Sequence, residues 1–100
     1  MDAAPQGDAA TELLAQLIEI RAHISTQEKA DPHFGVFARR VLFELLKYAD
    51  LVANAEMLLD ALNAFDRSLI DGVAAFDRTA RERSLRAIAV LDRQLRGTPH

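Results

Sequence analysis

The sequence predicts an all-α protein, and three observations carry that expectation. Between Val36 and Asp71 there is neither glycine nor proline. Leucine, valine, alanine and phenylalanine recur through the same stretch at intervals of three and four, the spacing that lines one face of a helix. Alanine and leucine, both strong helix formers, dominate the composition, whereas tryptophan is absent and β-branched residues are few. The architecture expected is an antiparallel bundle of three long helices, with a four-helix bundle as the alternative. It forms one domain over 8–96, between an N-terminal tail 1–7 and a C-terminal tail 97–100.

The first helix is expected from about Asp8 to Glu28. Asp8 suits the N-cap, with Thr11 as the alternative. Leu13, Leu17, Ile20 and Ile24 then step by four, three and four, flanked by Leu14 and Ile18, with Glu12, Gln16, Glu19 and His23 opposite. Such a helix needs a partner surface. Lys29 complements its negative end.

Asp31-Pro32 is the clearest punctuation in the chain. Proline fixes its own φ and turns the preceding residue away from helix. Asp31 as N-cap and Pro32 at the first helical position is a strong start signal. The second helix carries Phe34, Ala38, Val41, Leu45, Tyr48, Val52, Ala55, Leu59 and Leu62 on one stripe. A second stripe, Leu51, Ala55, Leu58, Leu62 and Phe65, crosses it, so the helix reads as central and touched from several sides. Its end is expected in the turn-like run Asn63 to Ser68. Asp66 or Ser68 would cap the next helix, which continues through Leu69, Val73, Phe76 and Ala80 and tolerates Gly72. From Asp77 to Ser84 only Ala80 is apolar, and Thr79 with Glu82 has capping-box spacing, so this helix either runs on or divides near Thr79. The stripe resumes as Leu85, Ile88, Leu91 and Leu95, and Gly97 with Pro99 ends it.

An unbroken helix from Pro32 to Asn63 would be about 48 Å long at 1.5 Å per residue. A compact domain of this size has a radius of gyration near 13 Å, so it is roughly 34 Å across. The rod would overshoot its own body, and the first helix would cover only part of it. The uncovered apolar length would then need another chain, most simply a second copy in a symmetric dimer. The competing picture turns the chain near Asp50 to Asn54 and closes a self-contained up-down bundle.

Composition narrows the function classes. A net charge of −3 gives no general attraction to nucleic acid or anionic membrane. Without cysteine there is neither a disulfide framework nor a thiolate zinc site. No basic, apolar signal opens the chain and no uncharged run approaches the ~20 residues of a membrane span, so the expected location is the cytoplasm. His23 with Glu19 could share a metal ion but lacks further ligands, and His33 reads as a surface residue. Glu44, Asp50, Glu56, Asp60 and Asp66 lack the Glu-x-x-His motif of di-iron bundles and read as a solvated face. No cofactor and no catalytic constellation is expected.

Charge is unevenly spread. The first 66 residues hold 5 basic and 11 acidic residues, a balance of −6, and the remaining 34 hold 7 and 4, a balance of +3. Arginine suits bidentate recognition of phosphate or carboxylate. The bland alternative is that these arginines pack beside the acidic helices of the same chain.

The function expected is non-enzymatic association with a second copy or another helical protein, as an adaptor, small chaperone or regulatory subunit. Leu51, Leu58, Phe65, Arg78, Arg81, Arg83 and Arg86 are the candidate contact residues. A nucleic-acid-associated regulator using the arginine-rich segment from Arg78 to Arg96 is the second reading. A ligand-sensing bundle with an apolar pocket around Phe34, Tyr48 and Phe76 is the third.

Overall fold

A computed structural model describes residues 5, 7–27, 31–71 and 74–97, without the side chains of 68, 71 and 74–77. Four helices follow one another: α1 (Asp8–Thr26), α2 (Pro32–Leu45), α3 (Val52–Asp71) and α4 (Ala74–Leu95). Each lies antiparallel to its neighbours. The His23 ring near the end of α1 stacks on Phe34 near the start of α2 at 4.9 Å. Arg39 of α2 reaches Asn63 and Asp66, late in α3. Asn54, early in α3, meets Gln94, late in α4. Arg81, early in α4, reaches the Gln27 carbonyl just past α1. α1 touches α2 and α4, α3 touches the same two, and the diagonal pairs do not meet among the described residues. The result is an up-down-up-down bundle of 43 × 23 × 21 Å with a radius of gyration of 13.4 Å.

The start signal of α2 holds locally. The Asp31 side chain accepts from the backbone N–H of His33 at 3.0 Å and of Phe34 at 3.3 Å, satisfying two of the donors a helix start leaves open. The cap of α1 is Gly7 at φ 60°, one residue before the expected Asp8; Asp8 lies inside the first turn, where its charge favours the positive end. Gly97 closes α4 at φ 75°, a conformation glycine adopts at no steric cost. Pro5 is buried. The other tail positions 1–4, 6 and 98–100 lie outside the described residues, as does Lys29.

The unbroken second helix is the main correction. The chain leaves the helix at Leu45, reverses over 46–51 and re-enters at Val52. Bonds from Lys47 N–H to the Glu44 carbonyl and from Tyr48 N–H to the Leu45 carbonyl, each 3.2 Å, tighten the end of α2; Leu51 N–H then bonds the Tyr48 carbonyl at 3.0 Å. No glycine is needed, because no non-glycine residue in the described backbone takes a positive φ. The gain comes from burial. Folding back brings Leu42 and Leu45 of α2 into one core with Leu51, Leu58, Leu62 and Phe65, all at most 1% exposed. Each such side chain contributes about 1.5–3 kcal/mol when removed from water. The apolar length that would have required a second chain is hidden within one.

Two further boundaries move. α3 runs through Asn63 and Asp66 instead of turning there, because both serve as partners for Arg39 on α2. α4 continues through Thr79; the division falls before Ala74, and Gly72 with Val73 lies outside the described residues. The α3–α4 pair is the most extensive in the bundle. Small residues are buried on both helices, Ala61 on α3 and Ala80, Ser84 and Ala87 on α4. Buried Ser84 satisfies its hydroxyl by donating to the Ala80 carbonyl at 2.9 Å.

Candidate association surfaces

The candidate contact residues divide into three groups. Leu51, Leu58 and Phe65 are wholly enclosed by their own chain, so they are corrected from partner-facing to core. Arg81 is also used internally. Its guanidinium donates to the Gln27 carbonyl at 2.6 Å and lies 5.6 Å from the centre of the Phe65 ring. A cation is thereby set on the negative end of α1, and the aromatic face adds a second attraction. Arg78, Arg83 and Arg86 are exposed on α4, with Arg93 further along it. Among the described residues none of these four makes a side-chain hydrogen bond or ion pair.

Other arginines show the intramolecular alternative at work. Arg39 is half-buried, donates to Asn63 Oδ1 at 2.6 Å and to the Gly35 carbonyl at 3.1 Å, and lies 2.8 Å from Asp66 Oδ2. Glycine at 35 leaves that guanidinium its path, since a Cβ there would sit 3.2 Å from Arg39 Nη1. Arg96 pairs with Asp92 one turn earlier.

Among the described residues, two of the surface grooves concern these helices. The larger, about 470 Å³, runs between α1 and α2. Leu13, Phe37 and Val41 give it an apolar floor, and Glu12, Arg40 and Glu44 bring both signs of charge to its sides; Tyr48 is part of its lining. Next to it the outward face of α2 carries Val36 and Phe43, 58% and 60% exposed. They are seven residues apart and stand opposite the core stripe of Phe34, Ala38, Val41 and Leu45. The smaller groove, about 190 Å³, lies between α3 and α4 and is lined by Asn54, Met57, Arg83, Arg86, Ala87 and Val90. Met57 is 60% exposed there.

The pocket expected around Phe34, Tyr48 and Phe76 is revised accordingly. Tyr48 lines the open α1–α2 groove. Phe34 is instead buried in the core beneath His23, and the Phe76 side chain lies outside the described set. Glu44, Asp50, Glu56 and Asp60 are exposed, whereas Asp66 is tied to Arg39. Among the described residues no three histidine, aspartate or glutamate side chains converge as metal ligands, and no helix is long and apolar enough to cross a membrane.

The sequence pattern missed Val36, Phe43 and Met57 because the readings followed the seams. The available signal was the opposite one: large apolar residues at positions the helical period turns outward. No family model matches this chain, and no curated protein or solved structure is significantly similar to it.

Proposed function

We propose that this protein is a non-enzymatic association module, an adaptor or regulatory subunit, that pairs with a second copy through the outer face of α2 and the adjoining α1–α2 groove. The observation that carries the reading is the exposure of Val36 and Phe43 on the solvent side of α2, beside an apolar-floored groove. Single surface hydrophobics need no explanation, but two large ones on one outward face, two helical turns apart and beside an apolar-floored groove, support a contact surface.

The charges favour a second copy as the occupant. A two-fold interface sets the same patch against itself, so it has to be self-complementary. Here Arg40 lies in one groove with Glu12 and Glu44. With the two-fold axis perpendicular to α2, the two copies of the helix run antiparallel, and Arg40 of each can then face an acidic residue of the other. Phe43 and Val36 would fill the space between.

Sedimentation equilibrium tests this directly. The wild type is expected at twice the 11.1 kDa mass of one chain. Phe43→Glu, at an exposed position, is expected at the single-chain mass with unchanged helicity. A wild-type mass of one chain across the accessible concentration range would refute the reading.

A further inference from the structure

We infer that the groove between α3 and α4 is a docking site for an acidic amphipathic helix of a different protein. The inference is independent of self-association, because it uses the opposite pair of helices. Three features converge there. The floor is apolar, formed by Met57, Ala87 and Val90. Arg83 and Arg86 stand on the rim, one turn apart on α4, so their Cβ atoms lie about 5–6 Å apart. Both guanidinium groups are exposed and make no ion pair or side-chain hydrogen bond with a described residue.

The contrast with Arg39, Arg81 and Arg96 gives the argument its force. On a chain of net charge −3, carboxylates are available to pair with arginine: Arg39 and Arg96 each meet one, and Arg81 is held by the Gln27 carbonyl. Arg83 and Arg86 are placed on the side of α4 facing α3, where the bordering α3 residues are Asn54 and Met57, neither of them acidic. A rim of one sign is not self-complementary, so a two-fold copy would set arginine against arginine. A partner with carboxylates three or four residues apart meets both guanidinium groups, and its apolar side chain between them enters the space over Met57 and Val90. Arg93, seven residues after Arg86, extends the positive charge along the same face of α4. The apolar floor favours a peptide over nucleic acid: no aromatic side chain lines this groove to stack a base.

The test is a fluorescence-anisotropy titration of the full chain. The probe is a labelled synthetic helix with glutamates at i and i+4 around leucine or phenylalanine at i+3 and i+7. A glutamine-for-glutamate version and a 20-nucleotide single-stranded DNA are run beside it. Saturable binding of the acidic helix is expected, weakened about tenfold or more by Arg83→Glu with Arg86→Glu and by Met57→Asp, and lost for the glutamine version. Circular dichroism checks that the variants stay folded, as exposed positions allow, and Arg83→Gln with Arg86→Gln gives a milder second variant. The Phe43→Glu chain should bind the acidic helix as the wild type does, which separates this groove from the dimer face. Absence of saturable binding at low ionic strength overturns the inference, as does binding insensitive to all these substitutions. DNA binding that survives Met57→Asp replaces the peptide with nucleic acid. Growth of the protein beyond a dimer, abolished by the double arginine variant, makes a second copy the occupant instead.

Discussion

Gln94→Ala should loosen the reversal between α2 and α3 without opening the core. Gln94 sits near the end of α4 and holds that turn from outside: its Nε2 donates to the Asp50 carbonyl at 3.0 Å, and its Oε1 accepts from Asn54 Nδ2 at 3.2 Å. Each neutral hydrogen bond contributes about 0.5–1.5 kcal/mol net. Asp50 is exposed, so its carbonyl recovers water once the partner is gone; Asn54 is half-buried and recovers less. Alanine also has the slightly better helix propensity. The expected loss is therefore about 1–1.5 kcal/mol, or roughly 4–12 °C in Tm for a domain of this size. Urea unfolding gives the free energy, and native-state hydrogen exchange locates it. The amides of Leu51 and Ala55, bonded to the carbonyls of Tyr48 and Leu51, should exchange faster while those of α1 do not. A double-mutant cycle with Asn54→Ala should return a coupling of about 0.5 kcal/mol or more. A variant with the wild-type midpoint and no coupling would refute the idea that α4 pins this turn.

Two further substitutions test the core and the start of α2. Leu58→Ala should cost about 3 kcal/mol in urea unfolding, since a fully enclosed leucine leaves a cavity, whereas Met57→Ala next to it should stay within about 0.5 kcal/mol. Near-equal costs would contradict the rotation assigned to α3. Asp31→Ala removes the carboxylate that accepts from His33 and Phe34 and should cost about 1 kcal/mol by the same assay; an unchanged midpoint would rule out that cap as a contributor.

What was legible in the sequence was local. Asp31-Pro32 and Gly97 act through their own backbone, so their neighbours suffice to read them. The α1 seam of Leu13, Leu17, Ile20 and Ile24 is also the buried set of that helix. The end of α2 was not legible, because nothing between Leu46 and Leu51 forbids helix. The break is decided by burial of both flanks and by Gln94, more than 40 residues away in the chain. Asn63 and Asp66 misled for a related reason: residues that favour turns when exposed favour a helix here, where Arg39 from α2 engages both. Arg81 could not be told from its neighbours by type. Its rotation toward α1 and Phe65 follows from the register of α4, which the short-range pattern leaves open. The exposed apolar positions were invisible to seam-following, since Val36, Phe43 and Met57 interrupt faces otherwise read as solvated.

The central claim is that each chain closes its own core and that association uses only an outer face. Urea unfolding of Phe43→Glu, followed by circular dichroism at two widely separated protein concentrations, tests it most directly. One cooperative transition with wild-type helicity and a midpoint independent of concentration is the predicted result. Loss of helicity, or a midpoint that rises with concentration, would mean that the core is shared between copies and would contradict the account.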